Sequence, residues 1–202
     1  MRAQLSGSRK RARHVLLLIG VVTLFIPCVV QAEEKKVAVV FSGGSDLDPR
    51  DGGRPVVLIA AGLGVSPEIF REAFRGVTPA RNGAPTGQQV HANKASLLKV
   101  LQPYGVTNVR LDEVSDYYRY RPQNGEHWKS VPARAHAIVD GGRIVKVVMT
   151  EPGSGYTSPP QIKVAGVDTS DFAVKLRFDK DLKRNGSIES IERTKVAPAP
   201  GK

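Results

Sequence analysis

Cysteine is all but missing. A single one, Cys28, occurs in 202 residues, which excludes an intrachain disulfide and leaves burial and hydrogen bonding to hold the fold. The histidines are few, and His91, His127 and His136 show no metal-ligand spacing, so zinc-finger and H-E-x-x-H chemistry are excluded. No Gly-x-Ser-x-Gly elbow occurs, and the Gly-Ser-Gly around Ser154 has the wrong frame for a hydrolase nucleophile. Carboxylates are plentiful, but no pair is singled out for acid–base work. Long apolar runs are also lacking, with one exception at the N-terminal end.

The first thirty-two residues contain no acid and five cations, Arg2, Arg9, Lys10, Arg11 and Arg13. That basic head leads into the apolar stretch Val15–Val30 and a small-residue site ending at Ala32, the order of a secretory signal. The stretch has sixteen residues, short of the roughly 20 that cross a bilayer, and Pro27 interrupts it. Cys28 follows Phe-Ile-Pro instead of the small residues that precede a lipid-modified cysteine. The reading is a signal peptide over residues 1–32, export to the periplasm or beyond, and membrane contact only through an uncleaved signal. Its removal lowers the net charge from +11 to +6, with 25 cations against 19 acids. Such a mildly basic surface suits anionic envelope polymers and is a weak argument for nucleic acid.

Beyond the signal, the spacing of apolar residues gives a fold class of α+β. A small N-terminal helical domain (residues 55–121) precedes a linker (122–133) and a small antiparallel β domain built from two degenerate repeats (134–196). A flexible segment is expected over 33–54 and a disordered tail over 197–202. "RPVVLIAAGL" is apolar all round, as a buried helix is. "SPEIFREAFRG" offers Ser66 as N-cap, Pro67 in the first turn and Gly76 as stop. A third helix places Val90, Leu97, Leu98 and Leu101 on one side with Lys94 intruding, and a fourth aligns Leu111, Val114 and Tyr118. After residue 133 the period becomes two, clearest in "FAVKLRF". "DGGRIVKVV" aligns with "RNGSIESIE": Gly142, Ile144 and Val147 match Gly186, Ile188 and Ile191. Two copies are fewer than a solenoid needs, so they are expected to combine into one small sheet or sandwich.

"DGGRIVKVVMTEPGSGYTSPPQIKV", residues 140–164, resembles the Gly-Ser-Gly-Tyr repeats of secreted bacterial proteins and phage tail proteins. The resemblance implies a β structural element and brings no catalytic residue. The helical half with this tail is also similar to uncharacterised secreted bacterial proteins.

Four segments invite functional readings. "VAVVFSGGSDLD" begins like the phosphate loop of ATP-dependent adenylating enzymes, but Leu47 stands where that loop needs serine, and Asp48-Pro49 opens no helix onto a phosphate. Asp46, Asp48 and Asp51 form an irregular candidate calcium loop, the one cofactor considered, although an EF-hand would need glycine at Asp51 and glutamate at Val57. "AAGLGVSPEIF" is similar to a helix-turn-helix, yet Glu68 and Glu72 beside Arg71 and Arg75 leave a reading face nearly neutral, so no nucleic-acid partner is assigned. "DYYRYRPQNGEHW" supplies Tyr117, Tyr120, Arg119, Arg121 and Trp128 as candidate ligand-binding residues, Tyr120 expected on the exposed side and Trp128 at the seam between halves. The expectation is an exported, non-catalytic structural or binding module of the bacterial envelope, with envelope polysaccharide or another envelope protein as partner. The alternative is a secreted hydrolase with its site between the two halves.

Overall fold

A computed structural model describes residues 34–80 and 84–194; the signal expected over 1–32 and the tail expected over 197–202 lie outside the described residues. The chain is α+β. Four helices, α1 (Val56–Leu63), α2 (Pro67–Arg75), α3 (Gly87–Leu101) and α4 (Asn108–Tyr117), precede most of the strands. Their ends follow local chemistry. Ser66, Thr86 and Thr107 each accept a backbone N–H from the residue three further on, Ile69, Gln89 and Arg110. Gly64, at φ +76°, ends α1 and turns the chain into α2.

Leu58, Ala60, Phe70, Ala73, Leu101, Leu111, Val114 and Tyr118 make the helical core. The stripe expected on α4 is therefore buried, while Val90 of α3 is 44% exposed. Lys94, the intruder on α3, reaches Asp112 of α4 at 2.7 Å. The Arg110 guanidinium donates to the carbonyl of Gly62 at the C-terminal end of α1, where free carbonyls collect, and to the carbonyl of Lys180. Among the described residues no helix is long and apolar enough to cross a membrane.

Six strands follow or flank the helices: β1 (Lys35–Ser42), β2 (Arg134–Asp140), β3 (Arg143–Glu151), β4 (Gln161–Val164), β5 (Phe172–Arg177) and β6 (Ser187–Arg193). A four-stranded antiparallel sheet has the order β3-β2-β1-β4, and β5 pairs with β6 separately. The position of β1 corrects the flexible segment expected over 33–54. Val37, Val39 and Phe41 alternate with Lys36, Ala38 and Val40, and that period-two pattern places β1 between β2 and β4. The helical region is thus carried between the first and second strands of one sheet.

The two segments aligned in the sequence each lie in a hairpin. In β2–β3, Val139 faces Ile144 and Ala137 faces Val147; in β5–β6, Leu176 faces Ile188 and Val174 faces Ile191. Each hairpin shifts register at the matching place, between Ile138 and Val139 and between Lys175 and Leu176. Both inner faces share a single apolar core containing Val39, Ala137, Val139, Ile144, Ile162, Val174 and Ile188. The copies thus form two sheets around one core.

Deleting residues 33–43 tests the role of β1. Loss of the strand joining β2 to β4 should abolish a cooperative thermal transition followed by circular dichroism. A transition within a few degrees of the parent's would return the segment to a flexible role.

Candidate functional site

The seam between helices and sheets is a packed contact. Asn185, fully buried, donates through Nδ2 to the carbonyl of Leu58 in α1 (2.7 Å) and to the hydroxyl of Tyr118 (2.9 Å). Its Oδ1 accepts the N–H of Asp179 at 3.1 Å. Burial pushes the Tyr118 hydroxyl up to about 12 from its ordinary 10.0. Leu182, from the β5–β6 connection, enters the helical core beside Gly62, where a Cβ would lie 2.8 Å from it. Trp128 is 3% exposed and donates Nε1–H to the carbonyl of Gly155 at 2.8 Å. Side chains therefore fill this seam.

The aromatic segment is half used by this seam. Trp128 lies there as expected, stacked against His127 at 3.6 Å and met edge-on by Tyr120 at 5.6 Å. Tyr120 departs from expectation. It is half-buried, and its hydroxyl donates to the carbonyl of Gly53, because the residues after α4 turn back over the Gly52-Gly53 loop. Tyr117 is half-buried against Tyr118, with the Lys129 ammonium 4.8 Å from its ring. Arg119 and Arg121 are exposed, and Arg119 pairs with Asp116 at 2.6 Å. The five residues do not converge on one surface.

The three aspartates have partners within the chain. Asp46 is tied to Ser158, whose hydroxyl donates to its Oδ2 at 3.0 Å. Asp48 caps a short 3-10 helix (Pro49–Asp51) and chelates Arg50, whose hydrogen bonds hold its carboxyl well below the usual carboxylate range. Asp51, 4% exposed, takes the side-on pair of Arg71 at 2.7 and 3.0 Å. Two of the three expected calcium ligands therefore face guanidinium groups, which occupy their lone pairs and supply the positive charge a cation would bring. Among the described residues no group of three His, Cys, Asp or Glu side chains could hold a metal. In the Ser-Gly-Gly of the ATP-like loop, Gly44 has a steric role. At Gly44, φ +88°, a Cβ would lie 2.6 Å from the Tyr156 ring, and the Gly44 carbonyl accepts the N–H of Thr157.

Two cavities bring arginines and aspartates together. One, of about 300 Å³, lies between the Pro49–Asp51 turn and α2, with Arg50, Arg54, Arg71 and Arg75 around Phe70 and Phe74. Three of those arginines are spent on Asp48, Asp51, Glu68 and Glu72, and Arg54 stacks on Phe74 at 4.2 Å. It is a brace between loop and helix. The other, of about 380 Å³, is lined by Asp168 and Asp171. The Ser170 N–H and hydroxyl hold the Asp168 carboxyl below its usual range, and Asp171 pairs with Arg193 at 3.2 Å. A carboxyl held down in this way, as at Asp168, is the opposite of one kept protonated for general-acid work.

Among the described residues, what the core leaves free is the outer face of the four-stranded sheet. Residues directly opposite in antiparallel strands share a face. Lys36, Ile138 and Lys146 therefore form one row across β1, β2 and β3, and Ala38, His136 and Val148 form the next. Val40 faces Lys163 across β1 and β4. Lys36, Ala38, Lys146 and Lys163 are exposed and Val40 is 59% exposed, while Ile138, His136 and Val148 are half-buried. The acids on this side are Asp140 beside the β2–β3 turn and Glu151, which stands 3.9 Å from Arg134. Lys36, Lys146 and Lys163 form no salt bridge among the described residues; nine arginines do, against only Lys94 and Lys175 of the lysines. Sequence reasoning missed this surface. Its signal was lysine on the polar phase of three separate strands, which only the register brings together. No protein-family model, curated protein or solved structure matches the chain.

The seam sets two expectations. In chemical denaturation Trp128→Ala should cost about 3–5 kcal/mol, as for other large buried aromatics, and Tyr120→Phe about 1 kcal/mol for its hydrogen bond; a Tyr120→Phe variant as stable as the parent would free that side chain for a ligand. The raised Tyr118 hydroxyl should make stability fall with alkali. Folded chains keep this proton while unfolded chains lose it between pH 10 and 12, so the contribution is full below pH 10 and declines through that window, by at most about 1.4 kcal/mol per pH unit. Tyr118→Phe should flatten that part of the stability–pH curve relative to the parent.

Proposed function

We propose that the protein is an exported, non-catalytic binding module of the bacterial cell envelope. The observation that supports this most is the uncovered face of the four-stranded sheet, basic and partly aliphatic, on a scaffold whose other sheet face is spent on the core. A surface of that kind invites a partner. The basic head, apolar run and small-residue exit at residues 1–32 support export. The Gly-Ser-Gly-Tyr resemblance belongs to the same proposal, as a β element that positions the face and performs no chemistry.

Fractionation and sedimentation test the reading. The purified protein should co-sediment with isolated envelope fragments and leave model ester, glycoside and peptide substrates intact. Turnover of any of these that disappears in Asp171→Asn would install a hydrolase instead, and absence of the protein from the envelope fraction of the producing cells would remove the localisation.

A further inference from the structure

The uncovered sheet face has a charge layout that points to a class of ligand. Lys36 and Lys146 occupy the same cross-strand row on either side of Ile138, so their backbones stand two strand spacings, about 10 Å, apart. Lys163 extends the positive side beyond β1 to the sheet's other edge. Ile138 stands between Lys36 and Lys146, Val148 lies one row further along on β3 and Val40 beside Lys163, with Ala38 and His136 between them. The cations there are chiefly lysines, point charges that meet separate oxyanions without demanding forked geometry. The paired residues on this face include no Phe, Tyr or Trp, and the His136 ring is half-buried, so the face lacks the exposed stacking platforms on which single-stranded nucleic acid is held.

We propose that this face binds a linear acidic polysaccharide, its carboxylates meeting Lys36, Lys146 and Lys163 and the C–H faces of its sugar rings lying on Val40, Ile138 and Val148. Charge complementarity chooses the polymer, and the methyl groups between the lysines accept the apolar side of a pyranose. This assignment rests on the reading of the protein as a binding module and adds the ligand class to it. Each contact is exposed and individually weak, so affinity comes from several lysines engaging one chain together.

Sodium polygalacturonate serves as probe, with neutral dextran as its uncharged counterpart. The purified protein should bind polygalacturonate and ignore dextran, with affinity falling as salt rises. Lys36→Glu/Lys146→Glu should weaken binding by about 10-fold or more, because two contacts become repulsive. Lys99→Glu/Lys183→Glu makes the same change in net charge on exposed positions of α3 and the β5–β6 connection, and should bind like the parent. Lys36→Gln/Lys146→Gln, which adds no acid, covers the case in which the reversal disturbs folding. Equal losses in the two glutamate pairs would overturn the site, since binding would then follow net charge alone. Tighter binding to anionic phospholipid vesicles or single-stranded DNA than to polygalacturonate would overturn the ligand class. Envelope co-sedimentation without polygalacturonate binding would refute the polysaccharide and leave the module standing, whereas failure of both would remove the module as well.

Discussion

The structure depends on a place where three backbone segments meet without side chains between them. Gly155 donates its N–H to the carbonyl of Asn185 at 2.8 Å, Tyr156 donates to Gly186 at 3.0 Å, and Ser154 exchanges two hydrogen bonds with Val131. A Cβ on Gly153 would lie 2.6 Å from the carbonyl oxygen of Val131, one on Gly155 2.7 Å from that of Lys129, and one on Gly186 2.5 Å from that of Tyr156. All three glycines have positive φ, so steric and conformational demands coincide at the same positions. With no disulfide to form, this crossing ties the segment after the first hairpin to the turn that leads into β6, and Trp128 and Asn185 extend it into the helices.

Asn185 marks where the second hairpin departs from the first. Its counterpart in the first copy is Gly141, in an exposed tight turn. In the second copy the connection is longer, and the asparagine is buried with its amide spanning a helix carbonyl, a tyrosine hydroxyl and a loop N–H. An amide carries donors and an acceptor together, so it can satisfy all three where a carboxylate or a methyl group could not. Burying it is favourable only because those partners are present.

Division of labour between the two kinds of cation links stability to function. Arginines take the acids: Arg71 fastens the buried Asp51, and Arg110 fastens two carbonyls from different elements. Planar forked donors suit such fixed partners. Lysines are left with the residual charge, and three of them stand on the bare sheet face. The positive charge that the ion pairs leave over is thus surplus to the fold and available at a surface.

Local order was legible in the sequence because its causes lie within a few residues. Ser66 caps α2, Gly64 ends α1, the Leu111, Val114 and Tyr118 stripe is buried, and Ile144 and Ile188 take matching places in two hairpins. The partners of the N-terminal segment were not legible. Asp46 bonds to a residue 112 positions away, and β1 pairs with strands that begin at residues 134 and 161. The same distance hid the use of Asp48 and Asp51, whose acidity suggested a cation while Arg71, on a later helix, completed their pairing. It hid the lysine face as well, since each lysine alone is an ordinary polar position on a strand. The sequence by itself determined caps, turns, faces and the hairpin repeat, which are set by neighbours along the chain. Only the tertiary structure decided which faces meet and which remain open, because that depends on cross-strand register and on contacts between segments that propensity does not relate.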